Sequence, residues 1–276
     1  MAWDIPKMWQ DGECWIIGGG PSMPRQFGVP EAVIKDVMDW TARPSAYSEY
    51  LAPLHNKHVI GVNNAYQIGN WIDVLFFGDA GWYLTHRHAL AHWQGIKVTC
   101  CHRFCKRSAR EMEGIKYVAR DKEHRHGIST VPSAVSWNGN SGAAAINLAI
   151  HFGVKRIVLL GFDMNFDSNK MSHWHGSHKD PKERKSPKIK KRIPPFNRHL
   201  RCFPILADEA RKLGVNIVNA SLESAITQFK KVTVKDALDY SEAMARENLC
   251  FTGRRSVPAD IAQGESIQQV SCDRSE

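Results

Sequence analysis

Short apolar runs alternate with amphipathic stretches along most of the chain. The apolar runs predict strands at Cys14–Ile17, His58–Val62, Asp73–Phe77, Lys97–Cys101, Ile115–Val118, Arg156–Leu160 and Asn216–Val218. Apolar residues at helical spacing predict helices over Glu31–Trp40, from Asn140 or Ser141 to Gly153, and over Leu200–Leu213. Strands that alternate with helices in this way indicate an α/β fold with a doubly wound, mainly parallel sheet of the Rossmann-like kind.

Two regions break this rhythm. Residues 167–199 lack periodicity and are rich in His, Lys, Pro and Ser, which is typical of a functional lid or a disordered segment. Residues 254–276 are polar and weakly periodic, which indicates a loose tail. We therefore predict one domain over residues 1–253 that carries a flexible basic lid, followed by the tail.

The composition narrows the class of protein. The chain has 276 residues, and no apolar stretch approaches the roughly 18–20 residues that span a bilayer. The first residues lack the pattern of a signal peptide, so a cytoplasmic location is expected. The seven cysteines include no CxxC pair, and the group Cys100, Cys101 and Cys105 beside His102 fits buried thiols better than a metal site.

The basic charge is concentrated in one segment. The formal net charge is +9, and Lys179–Arg201 alone contains ten Lys/Arg and two acidic residues. This concentration indicates a local anionic partner, and a solvated loop is the competing interpretation. The lid residues predicted to contact phosphate are Lys185, Lys188, Lys190 and Arg192.

Small and polar residues follow four of the predicted strands. These strand ends are Gly18-Gly19-Gly20-Pro21-Ser22, Asn63-Asn64, Gly78-Asp79 and Gly161-Phe162-Asp163. Because ligands bind beyond the carboxyl ends of the strands in a doubly wound sheet, four such ends predict a cleft. Glycines there allow close backbone approach and leave N–H groups for a phosphate or a ribose.

Each of these residues also has a structural interpretation. The glycine run suits an ordinary turn, asparagine favours turns, and Asp79 and Asp163 are able to cap the helices that follow them. Asn140, Ser141 and Gly142 place donors at a helix N-terminus, where the helix dipole favours anions, and a plain N-cap has the same sequence.

Histidines supply the candidate catalytic groups. His173, His175 and His178 fall within six residues, and His199 lies at the other end of the predicted lid. Histidine titrates near neutrality and so suits a general base. The spacing matches no strong zinc pattern, and a solvated His-rich loop is the competing interpretation.

The motifs GGGPS, VNNAY and GNSGAAAINLAIHFGVKRIVLLGFDMNF resemble those of the bacterial sialyltransferases of glycosyltransferase family 42. They also resemble the DUF115, or MptE-like, Rossmann proteins of bacteria, archaea and phages. The resemblance covers roughly residues 14–230, and a phage origin is among the expectations it raises. The chain departs from the sialyltransferases at Gly19, where they favour Asn, and it has no tyrosine pair after Asp163.

The resemblance implies a fold that binds a nucleotide-linked donor without an obligatory metal, beneath a lid. By position it implies His199 as the base, with His173, His175 and His178 aligned less well. It assigns the donor contacts to three loops: Gly18, Gly20 and Ser22 in the first, Asn63 and Asn64 in the second, and Asn140, Ser141 and Gly142 in the third. Gly19, Asp79 and Asp163 complete the predicted donor-binding set.

Our leading hypothesis is a glycosyltransferase that uses a CMP- or UDP-sugar and needs no obligatory cofactor. A histidine deprotonates an acceptor hydroxyl of a glycan or of modified DNA. One alternative is a diphosphokinase that binds ATP and Mg²⁺ through Asp79 and Asp163. Another is a nucleotide- or nucleic-acid-binding module without catalysis, and the sequence leaves open a homo-oligomer.

Overall fold

A parallel sheet forms the centre of the protein in the computed structural model, which describes residues 1–106, 114–176 and 195–252. In chain order the strands are β1 (Glu13–Ile17), β2 (His58–Val62), β3 (Val74–Phe77), β4 (Ile96–Thr99), β5 (Ile115–Tyr117), β6 (Ala119–Arg120), β7 (Ala134–Val135), β8 (Arg156–Leu160), β9 (Asn216–Asn219) and β10 (Lys230–Lys231). Eight of them form one sheet in the order β10-β9-β8-β1-β2-β3-β4-β5, and every neighbouring pair is parallel. Strands β6 and β7 pair separately.

Helices connect these strands. They are α1 (Ser22–Gln26), α2 (Glu31–Met38), α3 (Ala80–Leu90), α4 (Ser141–His151), α5 (Phe196–Leu200), α6 (Phe203–Lys212) and α7 (Val234–Thr252). Short 3-10 helices lie at Pro44–Tyr47, Ala52–Leu54, Asn63–Ile68 and His102–Phe104. None of the helices in the described ranges is both long and apolar enough to cross a membrane.

The order of the strands reverses between β1 and β8. From β1 the chain builds outward through β2 to β5, and after α4 it returns to place β8 on the other side of β1. This arrangement is the topological switch point of a doubly wound sheet, where a crevice opens at the carboxyl ends of the strands. The predicted fold class is therefore confirmed.

Each face of the sheet is covered by its own hydrophobic core. Ile16 and Leu159 point to the face that holds α4 and α6, whereas Trp15 and Ile17 point to the face that holds α1 and α2. This alternation follows from the two-residue period of a strand. The side chains of Ala143–Ala145 are fully buried, and their small size lets α4 pack closely on the sheet.

Some boundaries differ from the predictions. The helix predicted from Leu200 begins at Phe203, because the short α5 precedes it and Pro204 occupies its first turn, where the missing N–H costs no hydrogen bond. Strand β10 and helix α7 carry no sequence prediction. Residues 1–238 form one compact unit, and a second unit begins at Asp239. The predicted boundary at residue 253 stays a prediction, since the tail lies outside the described residues.

Candidate active site at the switch point

The glycine loop after β1 is fastened to the end of β8. The N–H of Gly18 donates to the carbonyl of Leu160 at 2.7 Å, and the N–H of Gly20 donates to the carbonyl of Gly161 at 2.7 Å. Between them, the N–H of Gly19 has no acceptor within the described ranges. The sequence predicts several glycine N–H groups for a ligand, but only that of Gly19 is left without a described acceptor. Gly18 and Gly20 use their N–H groups to join the two strand ends.

Asp163 holds the chain that leaves this loop. Its Oδ2 accepts from the N–H of Ser22 at 2.8 Å, and its Oδ1 accepts from the Ser22 hydroxyl at 2.6 Å. A Cβ at Gly20 would lie 2.6 Å from Oδ2, so only glycine leaves room for the carboxylate. Asp163 is 4% exposed and positions the loop, while its predicted contact with a donor stays a prediction.

A serine beyond β9 joins the same network. The hydroxyl of Ser221 accepts from the N–H of Phe162 at 3.1 Å and lies 3.3 Å from the Ser22 hydroxyl. Three strand ends, those of β1, β8 and β9, are therefore tied together by side chains. Sequence reasoning missed Ser221, since a lone serine after a short strand carries no signal of its own.

Trp174 anchors the His-rich segment on the glycine loop. Its indole Nε1 donates to the carbonyl of Gly18 at 2.7 Å, and its backbone N–H donates to the carbonyl of Gly19 at 3.0 Å. The hydroxyl of Tyr47 donates to the carbonyl of Trp174 at 3.2 Å. The tryptophan is 1% exposed, so the segment around it is held firmly at the switch point.

The anchor brings His173 and His175 to two different strand ends. The Cδ2 atom of His173 lies where it would be 2.9 Å from a Cβ at Gly19. The Nδ1 atom of His175 lies 3.4 Å from the amide nitrogen of Asn64. The two ring centroids are 5.1 Å apart, and His173 is half-buried whereas His175 is buried. The structure thus places both predicted histidines at the carboxyl ends of the strands, against the loops after β1 and β2.

The two asparagines after β2 behave differently. Asn63 has a φ of 52°, a left-handed conformation that asparagine tolerates, and its buried Oδ1 has no hydrogen-bond partner among the described residues. The Asn64 side chain is engaged at both ends, by His175 and by the indole Nε1 of Trp82, which donates to Oδ1 at 2.7 Å. Trp82 was not among the predicted site residues.

The N-terminus of α4 carries the third loop of the predicted donor site. Oδ1 of Asn140 accepts from the N–H of Gly142 at 2.8 Å and from that of Ala143 at 3.4 Å, so Asn140 is the N-cap. Its amide nitrogen is buried and has no partner in the described part of the chain. The hydroxyl of Ser141 lies beside Gly78. This loop therefore caps the helix and also holds a buried side-chain donor that no described residue uses.

Asp79 caps α3. Its Oδ1 accepts from the backbone N–H of Trp82 at 3.0 Å. Asp79 is therefore a helix cap, as its structural interpretation predicts, and its bond also holds Trp82, whose indole reaches Asn64. Its role as a donor contact or as a Mg²⁺ ligand stays a prediction.

His199 lies in α5. Burial, followed by the neighbouring Arg198, lowers the pKa of His199 and favours the neutral imidazole. Its carbonyl accepts from the thiol of Cys202 at 3.2 Å, and no described contact joins the residue to the glycine loop. His178, together with Lys185, Lys188, Lys190 and Arg192, lies outside the described residues.

Other features of the described part lie away from this edge. No group of three or more His, Cys, Asp or Glu within it is arranged to hold a metal ion. Cys100 and Cys101 are buried, as predicted for packed thiols. Two open clefts of about 360 and 330 Å³ lie beside Trp9 and Asp73 and beside Arg211 and Phe229. The polar groups gathered at the switch point make that edge the better candidate for chemistry.

Comparison with known proteins gives no family model and no curated relative that matches the chain. Solved structures do match. The monofunctional alpha-2,3-sialyltransferase Cst-I of Campylobacter jejuni is 12% identical over 87% of this chain and 96% of its own, with a TM-score of 0.42. The sialyltransferase CstII of Campylobacter jejuni, in complex with the substrate analogue cytidine-5'-monophosphate, is 14% identical over 81% and 86%, with a TM-score of 0.40. An apo alpha-2,3-sialyltransferase of Campylobacter jejuni is 15% identical over 82% and 80%, with a TM-score of 0.41.

Proposed function

We propose that the protein is a glycosyltransferase that moves a sugar from a nucleotide sugar to an acceptor hydroxyl. The observation that carries the proposal is the meeting of two imidazoles with a glycine loop and unpartnered polar groups at the switch point of the sheet. CMP- and UDP-sugars are the donors to examine first, because the sequence resemblance concerns proteins that use activated sugars. The hydroxyl of a glycan and that of modified DNA are the acceptors that the sequence predicts.

Unpartnered groups at the cleft support a ligand with both donors and acceptors. They are the N–H of Gly19, the Oδ1 of Asn63 and the Nδ2 of Asn140, none of which has a partner in the described ranges. Buried polar groups without partners are rare in folded proteins, because each costs free energy. A nucleotide offers carbonyl, ring nitrogen, hydroxyl and phosphate groups that match such a mixed set.

The chemical step needs a base near the acceptor. The acceptor oxygen forms a bond to the anomeric carbon, its proton passes to an imidazole nitrogen, and the bond between that carbon and the donor phosphate oxygen breaks. Negative charge then develops on the leaving nucleotide, where donors and cations stabilise it. His173 suits the base because it is half-buried and its ring lies against Gly19. His199, favoured by the resemblance, is the competing candidate.

Binding of donors and the effect of each histidine test this proposal. We expect at least one CMP-, UDP- or GDP-sugar to raise the melting temperature and to be hydrolysed slowly without an acceptor. In His173→Gln, we expect turnover to fall by about a hundredfold while donor binding is kept, since general bases contribute about 10²–10⁴ in rate. His199→Gln makes the same substitution at the competing candidate for the base and is the matched variant. Failure of every nucleotide sugar to bind and to react would exclude the proposed function.

A further inference from the structure

A chain of hydrogen bonds runs from helix α3 through Asn64 to His175. The indole Nε1 of Trp82 lies 2.7 Å from Oδ1 of Asn64, and Nδ2 of the same amide lies 3.4 Å from Nδ1 of His175. All three side chains belong to different strand-end segments, after β3, after β2 and after β8.

The chemistry of the first bond fixes the orientation of the amide. An indole N–H is only a donor, so the atom of Asn64 that faces Trp82 has to be the oxygen. The NH₂ group then faces His175. Because an amide NH₂ only donates, the Nδ1 atom that receives it has to carry a lone pair, and the proton of the neutral imidazole sits on Nε2.

Trp82 is itself held in place, which makes the orientation persistent. Its backbone N–H is bound to the cap Asp79 at 3.0 Å. Its ring stacks on His86 with centroids 4.5 Å apart, and Nδ1 of His86 lies 3.0 Å from the hydroxyl of Tyr66. The donor that sets the amide is therefore part of a packed cluster rather than a free surface side chain.

We propose that Trp82 and Asn64 are positioning residues that hold His175 as the Nε2–H tautomer, so that it acts as a hydrogen-bond donor and not as the base. Any acceptor that reaches Nε2 meets a proton instead of a lone pair. Under the proposed function, on which this role rests, the acceptor is a phosphate oxygen of the nucleotide donor, where charge develops as the sugar leaves. The base is then a group other than His175, and His173 is the candidate named above.

The tautomer is measurable without any substrate. Long-range ¹H–¹⁵N spectra of the full chain, with His175 assigned by the signals lost in His175→Gln, distinguish a pyrrole-like from a pyridine-like nitrogen. We expect Nε2 to be pyrrole-like and Nδ1 to be pyridine-like in the neutral wild-type imidazole. The opposite assignment would overturn the inference, whatever reaction the protein catalyses.

Asn64→Asp is expected to move the proton of His175 to the other ring nitrogen. A purely structural role of Asn64 does not explain such a change. A carboxylate accepts from both Trp82 and His175, so the proton of the imidazole moves to Nδ1 and the two nitrogens exchange their classes of chemical shift. We expect turnover of the best donor to fall by about a hundredfold, as for loss of one positioned donor at a developing charge. Unchanged nitrogen shifts in Asn64→Asp would contradict the inference.

Trp82→Phe provides a second route, and Trp93→Phe is its matched control. The first variant removes the donor that orients the amide, so signals of both tautomers of His175 are expected. The indole of Trp93 is buried and its N–H has no partner among the described residues. Trp93→Phe therefore makes the same substitution outside the chain of hydrogen bonds. One tautomer in Trp82→Phe would refute the positioning role. Absence of nucleotide-sugar turnover would refute the proposed function while leaving the tautomer result to stand on its own.

Discussion

Replacement of Asp163 tests whether the buried carboxylate holds the glycine loop in place. The side chain makes two hydrogen bonds to Ser22, at 2.8 and 2.6 Å, and is 4% exposed. Hydrogen bonds to a charged group contribute about 1.5–3 kcal/mol each. Asp163→Ala loses both bonds, so we expect the free energy of unfolding to fall by about 3–6 kcal/mol. Asp163→Asn keeps the shape and loses the charge, so we expect a loss of about 2 kcal/mol.

Urea unfolding followed by tryptophan fluorescence measures these differences. The matched control is Asp79→Asn, which makes the same chemical change at another strand end. Asp79 is exposed, its Oδ1 caps α3, and asparagine caps a helix about as well as aspartate. A shift below about 0.5 kcal/mol is therefore expected for the control. If Asp163→Asn cost no more than this control, the carboxylate would not be what fastens the loop.

Three further outcomes are expected. Gly78→Ala should lower stability by about 1–3 kcal/mol, as in overpacked cores, because a Cβ there would overlap the ring of Trp137; an unchanged urea midpoint would refute this. Burial lowers the pKa of His151, so the unfolded chain binds more protons and stability should fall as the pH drops below about 6.5, the ordinary histidine value. His151→Gln should flatten that fall in urea unfolding at pH 7.5 and 5.5, and an equally steep fall in the variant would count against it. Burial raises the pKa of Cys100 to about 11, so mass-spectrometric mapping should find half-exposed Cys105 alkylated before it at pH 8, and the reverse order would contradict the burial argument.

The fold could be predicted because its signals are local. The runs at β2 and β8 match the strands residue for residue, since a strand covered on both faces has to be apolar almost throughout. The N-cap of α4 at Asn140 and its end before Gly153, whose φ is 92°, likewise depend on residues close together in the sequence. Strand β10 was not predicted, because its two exposed lysines give no apolar pattern.

The sequence predicted individual residues of the site but not the contacts between them. His173 and His175 were named as chemical candidates from their residue type and from their place after the strand Arg156–Leu160. What the sequence did not show is which distant group each side chain meets. The bond between Trp82 and Asn64 depends on where β3 delivers α3, which no local pattern contains.

The three consecutive glycines of the loop after β1 stand there for different physical reasons. At Gly18 and Gly20 the protein itself takes the space that a side chain would need. The carbonyl oxygen of Gly161 blocks both positions, together with the Asp163 carboxylate at Gly20. These two glycines let β1 and β8 approach each other closely. At Gly19 the neighbouring group is His173, and the N–H is the one in the loop that no described acceptor uses. Two of the glycines therefore build the switch point, and the central one brings the backbone to the imidazole that we propose to act on the acceptor.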